Sequence, residues 1–454
     1  MLAEFTGRVK SGTASVGVIG LGYVGLPLAL LFARRGFSVL GFDTDSLKVD
    51  ALSRGETYIH HIPAQAIREQ GDRFSATTDF SRLATVDACL ICVPTPITEY
   101  RDPDLSFVRQ TAEEISRHLR RGQLIVLEST TYPGTTDGDV LPILERSGLR
   151  CPIQPYDAVS VSAEQCGDVS TDFLLAFSPE REDPGNRNFS THQIPKVVGG
   201  LNAPSALAAH ALYAAAFEKA VLVGSARVAE MAKILENTYR AVNIALINEI
   251  KLLCLRMGID VWEVIEAAKT KPFGFTPFYP GPGLGGHCIP IDPFYLAWKA
   301  REYELTTRFI ELAGEINASM PGHVVDAVGD ALNRRRQCLQ DARILVLGVA
   351  YKKDIDDLRE SPSLRVIELL IERGARVDYN DPYFPRLHKM RRYDLGLASV
   401  ELTAESLAGY AAVVIVTDHS SYDYEFIARH ARLVVDTRNA TRDLRHYHEK
   451  IVHC

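Results

Sequence analysis

The chain has 454 residues, too many for one ordinary domain, and its 46% hydrophobic and 24% charged residues are the make-up of a globular protein. A net charge of −7 gives no basic field for nucleic acid or an anionic membrane, so an anionic ligand has to be met by local Lys and Arg. Met1 to Gly12 contains no apolar run of the secretory kind, and the eight scattered cysteines are then expected to be reduced thiols of a cytoplasmic protein.

Val16–Ile19 reads as a strand, Leu26–Arg35 as a helix and Ser38–Phe42 as the next strand. The uncharged run from Val16 to Ala33 approaches the length of a membrane span. Its glycines and Pro27 make it a strand, a turn and a helix start instead. Between the two strands stands Gly20-Leu21-Gly22-Tyr23-Val24-Gly25. In a dinucleotide-binding turn the first glycine permits the tight bend, the second admits the pyrophosphate and the third lets helix and strand pack closely. Asp43 follows the second strand at the distance where a carboxylate receives the ribose 2′-OH and repels a 2′-phosphate. Gly20, Gly22, Tyr23, Val24, Gly25 and Asp43 are therefore expected to bind NAD rather than NADP.

Ala88–Val93 and Leu124–Leu127 continue the apolar strands, with helix-like Ser106–Leu119 between them. This alternation predicts a parallel sheet covered on both faces, extended by Phe173–Ala176 and Pro195–Gly199. Cys89 and Cys92 form a C-x-x-C pair, but inside an uninterrupted apolar run they read as buried strand thiols. No second Cys or His pair has zinc spacing, and no metal is expected. Pro94 and Thr95 after one strand, and Glu128-Ser129-Thr130 after the next, stand at strand C-terminal ends, where open α/β sheets bind ligands. Ser178-Pro179-Glu180-Arg181 follows a further strand; Glu180 reads either as a base near the cofactor or as half of a surface pair with Arg181.

From Pro204 to about Met257 the character changes to long helix, ended by Gly258, and Val261–Lys269 forms another. Thirty residues of helix span about 45 Å, a length that suits a dimer interface. Lys233 and Asn237 share one face of it; spacing alone makes that face, with Glu230, an ordinary solvated one. Next comes Pro280-Gly-Pro-Gly-Leu-Gly-Gly-His287-Cys288-Ile-Pro-Ile-Asp292. Gly283, Gly285 and Gly286 let backbone approach a ligand, and a thiol held on such a loop beside His287 and Asp292 is a candidate nucleophile rather than a core residue. A second alternation begins at Arg343: strands Ile344–Leu347, Arg376–Tyr379, Ala412–Thr417 and Leu433–Asp436, with helix Leu364–Arg373. It has Gly348 but no dinucleotide fingerprint.

Gly20 to Pro27, Val93-Pro-Thr-Pro, Glu128-Ser-Thr, Ser178-Pro-Glu, Glu230…Lys233…Asn237, Gly285-Gly-His-Cys288…Asp292 and Tyr351-Lys352-Lys353-Asp354…Arg359-Glu-Ser-Pro362 occur in one order. In that order the chain resembles the UDP-glucose/GDP-mannose dehydrogenase family over almost its whole length. The loop Phe273 to Tyr295 is most similar to the branch acting on UDP-N-acetylglucosamine; His287 and Ile291 depart from the UDP-glucose pattern, and UDP-glucose and UDP-N-acetylmannosamine remain the rival substrates. The resemblance implies two Rossmann-like doubly wound parallel sheets joined by a long-helix central domain. The expected bounds are residues 1–203 for NAD, 204–325 for the helical domain with the Cys loop, and 326–454 for the UDP-sugar.

It also implies a four-electron oxidation of a sugar C6 alcohol to a carboxylate with two NAD, and a homodimer or higher homo-oligomer. Cys288 would carry a thiohemiacetal and then a thioester. Lys233 and Asn237 would steady the oxyanion, Asp292 would work with the lysine, and Thr130 and Glu180 would position water. Pro184 stands where the family has a second glutamate, and Glu182 is the possible substitute. Lys352, Arg359 and Arg438 match the UDP-binding pattern, with Arg181, Phe275, Tyr279 and Gly285 as further substrate contacts, Phe275 and Tyr279 shaping the wall for an N-acetyl group. A two-electron dehydrogenase would need no thiol, and a non-catalytic NAD-binding protein would have no use for the full set of polar residues.

Overall fold

The structure, a computed structural model, describes residues 1–59, 62–98, 102–163, 166, 169–181, 190–286, 289, 291–390 and 393–454. The chain divides into two compact units, Met1–Glu236 with Phe294–Leu305, and Asn237–Pro293 with Thr306–Cys454.

The first unit is built on an eight-stranded sheet of β1 (Ser15–Ile19), β2 (Ser38–Phe42), β3 (Phe74–Thr77), β4 (Ala88–Ile91), β5 (Leu124–Leu127), β6 (Leu174–Phe177), β7 (Lys196–Gly200) and β8 (Ala220–Leu222). Their order is β3-β2-β1-β4-β5-β6-β7-β8, the doubly wound arrangement whose reversal between β1 and β4 opens a crevice at the strand C-termini. All pairs are parallel except β6 and β7, which run antiparallel with Ala176 opposite Gly200 and Phe177 opposite Gly199. Successive residues of the central strands point to opposite faces. Ala88 and Leu90 join the core beneath the helix Gly25–Arg34, while Cys89 and Ile91 join the core beneath the helix Ser106–His118. With both faces covered, a strand must be apolar throughout, which is why β4 and β5 read as unbroken apolar runs.

The change to long helix expected at Pro204 comes later. The helix Ala203–Ala216 packs on β7, and the chain then returns through β8 before the helix Ala226–Met257 begins. Strand β8 is three residues flanked by alanine-rich helix, too short for its period to show in the sequence. The 32-residue helix ends where Gly258 adopts φ +70° and the Ile259 amide bonds the Cys254 carbonyl at 2.9 Å.

The second unit holds a five-stranded parallel sheet of β9 (Arg343–Leu347), β10 (Arg376–Asn380), β11 (Ala412–Ile415), β12 (Val434–Asp436) and β13 (Ile451–His453), in the order β10-β9-β11-β12-β13. Asp381 follows β10 as Asp43 follows β2. Its carboxylate is consumed internally: Oδ2 accepts from the amides of Val349 at 2.7 Å and Ala350 at 3.1 Å, and Oδ1 from that of Tyr383 at 2.8 Å. His419 Nδ1 accepts from the Asp354 amide at 3.0 Å, so its Nε2 carries the hydrogen and donates to Asp381 at 3.1 Å. A dinucleotide's phosphates need just those loop amides, and here they are already paired.

Asp381→Ala strips three buried donors and the half-buried Tyr383 amide of their acceptor, so it should cost about 3–5 kcal/mol and raise amide exchange at Val349 and Ala350. Hydrogen exchange of the intact chain checks this; unchanged protection there would refute it.

Candidate active site

The glycine turn after β1 has the expected geometry. Gly20 takes φ +90°, and a Cβ there would lie 2.8 Å from the Cys92 carbonyl oxygen; at Gly25 it would collide with the carbonyl of Gly20. Nothing lies within 4 Å of a Cβ built on Gly22, so a pyrophosphate has room to approach the start of the helix that Tyr23 and Val24 lead into. Asp43 Oδ2 accepts from the Leu21 amide at 2.9 Å and pairs with Lys48 Nζ at 3.2 Å, which fixes the carboxylate at the end of β2. Cradle and carboxylate together fit NAD.

The turn after β4 is held from two sides. Tyr295 OH donates toward the carbonyls of Thr95 at 3.0 Å and Pro96 at 2.9 Å, and Ser129 Oγ donates to the carbonyl of Val93 at 2.7 Å. Pro94 and Thr95 thus form a fixed shelf beside the glycine turn. Thr130 is half-buried where the chain leaves β5.

Behind this edge lies a charge cluster that sequence reasoning did not find. Glu128 is fully buried, and both Lys196 Nζ and Tyr213 OH donate to its carboxylate. Lys196 Nζ is also 3.6 Å from Glu180 Oε2 and lies over the rings of Tyr213 and Phe217. Burial alone would discharge this ammonium, but the Glu128 and Glu180 carboxylates outweigh it and hold the lysine charged. The available signal was a lysine at the head of the apolar strand Lys196-Val-Val-Gly-Gly. Arg181 is engaged elsewhere: its guanidinium forks onto Glu236, with Nε 3.1 Å from Oε2, and donates to the Pro195 carbonyl at 2.8 Å.

The solvated face that spacing suggested for Glu230, Lys233 and Asn237 is a buried one, with exposures of 0, 7 and 6%. Glu230 reaches the loop after β5 and accepts from the amides of Gly134 at 2.6 Å and Thr136 at 2.8 Å and from Thr136 Oγ1 at 2.6 Å. Spacing shows which residues share a face, not what covers it.

In the second unit Asn237 Nδ2 donates to Asp292 Oδ2 at 2.6 Å, both side chains being buried. His287 and Cys288 lie outside the described residues, as do Glu182 and Pro184. The glycines before them are tightly overlaid: a Cβ on Gly281 would stand 2.6 Å from Arg438 Nη1, and one on Gly286 would stand 2.9 Å from the Tyr351 ring. Gly285 faces Tyr351 likewise, and the Gly286 amide donates to the Arg359 carbonyl at 2.9 Å. Of the sequence-expected residues, Arg359 therefore meets the glycine loop at Gly286, beside Gly285, and Arg438 meets it at Gly281. The Arg359 side chain pairs with Asp357 at 2.6 Å, Arg438 Nε donates to the Val416 carbonyl at 3.0 Å, and Lys352 is half-buried on the loop after β9. Tyr279 stacks on Trp262 with ring centroids 5.8 Å apart and donates to Glu266 at 2.8 Å, while Phe275 is 40% exposed.

Residues 14–217 match the NAD binding domain of the UDP-glucose/GDP-mannose dehydrogenase family, residues 227–319 its central domain and residues 345–443 its UDP binding domain. The chain belongs to this family. The UDP-N-acetyl-D-glucosamine 6-dehydrogenase of Pseudomonas aeruginosa is 34% identical over 412 residues, 90% of this chain and 91% of that one. The UDP-N-acetyl-D-mannosamine dehydrogenase of Salmonella typhi is 34% identical over 440 residues, covering 94% and 99%. Among solved structures, the UDP-D-ManNAc dehydrogenase of Pyrococcus horikoshii superposes with a TM-score of 0.81 at 31% identity, over 94% of this chain and 96% of that one. The protein is accordingly an NAD-dependent nucleotide-sugar dehydrogenase, an oxidoreductase, with its NAD domain on the first sheet and a UDP-binding domain on the second. Among the described residues no helix is long and apolar enough to cross a membrane.

Burial pushes the Glu230 carboxyl from its ordinary 4.5 up to about 7, against the pull of its three donors. The native state therefore holds an extra proton between those values, and stability falls as pH rises across that window and levels above it. The slope amounts to about 3 kcal/mol. Glu230→Gln should flatten it; denaturant titrations of both proteins at several pH values would show this, and parallel slopes would count against it.

Proposed function

We propose that this dehydrogenase oxidises the C6 hydroxyl of UDP-N-acetylglucosamine to the carboxylate of UDP-N-acetylglucosaminuronic acid. The observation that carries the chemistry is the buried pair of Asn237 and Asp292, of which Asp292 stands four residues after Cys288 in sequence. A buried amide held by a carboxylate is preorganised, and a site of that kind stabilises charge that develops on a reacting oxygen. Lys233, one helical turn before Asn237, supplies the cation for the same oxygen. NAD, when bound at the glycine turn, would supply the hydride acceptor for the alcohol and, as a second molecule, for the aldehyde adduct.

An aldehyde becomes a hydride donor once a nucleophile has added to it, and Cys288 is the nucleophile in this reading. Its sulfur bonds to C6, the adduct loses hydride to become a thioester, and water releases the acid. Glu180 and Thr130 position that water. Arg438, Lys352 and Arg359, around the glycine loop, meet the diphosphate and the base.

A second reading, UDP-N-acetylmannosamine, has support of its own in relatives of equal identity that act on that sugar by name. Limiting amounts of each sugar separate them. The expected result is two NADH per UDP-N-acetylglucosamine, with at least tenfold lower kcat/KM for the mannosamine and glucose nucleotides. Cys288→Ser should lose roughly a thousandfold in acid formation. One NADH per sugar, or an unimpaired serine variant, would sink the thioester route; preference for the mannosamine sugar would replace the substrate alone.

The long helix also exposes Val228, Leu235, Tyr239, Leu246 and Leu253 at multiples of three to four residues along one stripe, 50–58% accessible each. Such a stripe is suited to a second copy of the chain, and the active species in this reading is a homodimer. Sedimentation of the enzyme at assay concentration should give a dimer; a fully active monomer would remove this part.

A further inference from the structure

The antiparallel register of β6 and β7 has a chemical outcome. Ala176 pairs with Gly200 and Phe177 with Gly199, so continuing the ladder past the end of β6 sets Glu180 opposite Lys196. The side chains meet there, Lys196 Nζ 3.6 Å from Glu180 Oε2. The same ammonium is in contact with Glu128 at the end of β5, and both Lys196 and Glu128 are buried. One cation thus serves two carboxylates: Glu128, fully buried, and Glu180, 8% exposed, at the margin of the cluster.

We propose that Lys196 is the positioning residue for Glu180: its ammonium, anchored by Glu128, holds the Glu180 carboxylate in place as the anion that receives a proton from the hydrolytic water. This rests on the reading of Glu180 given above. In the step concerned, a water oxygen bonds to the acyl C6 and one water proton passes to Glu180. The C6–S bond breaks with its electron pair remaining on Cys288, and Glu180 then releases its proton to solvent.

The other groups facing the ammonium do not replace it. Tyr213 OH donates to Glu128 and leaves that carboxylate an acceptor. Burial holds the Cys92 thiol well above its ordinary range, so it stays neutral. Lys196 is then the cation that Glu128 and Glu180 share, and changes at its two ends have opposite consequences. Removing the ammonium disfavours the Glu180 anion. Removing the Glu128 charge leaves the ammonium wholly to Glu180 and favours the anion.

The test is the pH profile of kcat, measured on full-length enzyme with NAD and whichever UDP-sugar the wild type oxidises. Lys196→Met should move the acidic limb up by about one pH unit, equal to a roughly tenfold extra loss of rate on the acid side. It should also convert the time course into a burst of two NADH per site followed by slow turnover. Lys196→Arg should restore the limb, and Glu128→Gln should move it down. A residue that merely supports the fold would lower Tm in both variants and leave the limb unmoved. Limbs that stay put, or that shift the same way in Lys196→Met and Glu128→Gln, overturn the proposal. If Lys196→Met does not fold, a downward shift of the limb in Glu128→Gln and a limb at the wild-type position in Lys196→Arg decide, and an unmoved or raised limb in Glu128→Gln overturns the proposal. Wild-type enzyme yielding one NADH per sugar would instead overturn the underlying reading, a result independent of the variants.

Discussion

A lysine taken out of water costs several kcal/mol unless carboxylates surround it, and removing one member of such a group leaves the remainder uncompensated. The C-terminal edge of the first sheet is arranged under that constraint. Lys196 enters at the head of β7, Glu128 at the end of β5 and Glu180 beyond the end of β6, while Tyr213 comes from the helix packed over β7. None can move far without stranding another. The points at which the chain leaves β5 and β6 are therefore held as firmly as the core beneath them. Rigidity of that kind is what a site needs if it is to stabilise charge without reorganising.

Much of this protein was legible in its sequence because the signals are local. Gly20 answers to its own positive φ, Gly25 to the carbonyl of Gly20 five residues before it and Gly22 to the open space a phosphate needs, while Asp43 answers to a spacing along two strands. The apolar runs of β4 and β5 follow from cover on both faces. The buried role of Glu230 was not legible: its partners, Gly134 and Thr136, lie about a hundred positions away, and only the fold brings them near. Lys196 was missed for a related reason. Its burial depends on the reversal of one strand, and no period in the sequence reports strand direction. Cys288 lies outside the described residues, and its reading as the nucleophile rests on loop composition.

The two sheets make an instructive comparison. Each has an aspartate after its second strand, and each aspartate receives amides from the loop after the first. Around Asp43 the loop keeps open space at Gly22; around Asp381 the loop closes on the carboxylate, and His419 completes the ring of donors. A related architecture thus holds a dinucleotide in one unit and is free to present cations to a diphosphate in the other. The difference lies in where the hydrogen bonds are spent.

Reversing β7 also changes which insertions the enzyme tolerates. In a parallel arrangement the head of β7 would lie at the opposite edge of the sheet, roughly a strand length away. Because the strand runs backward, the meeting of Lys196 and Glu180 is set by the ladder pairs Ala176–Gly200 and Phe177–Gly199. The length of chain joining the two strands does not enter. That connection can lengthen, shorten or change composition over evolutionary time, or accept a grafted peptide, while the ion pair at its base keeps its geometry.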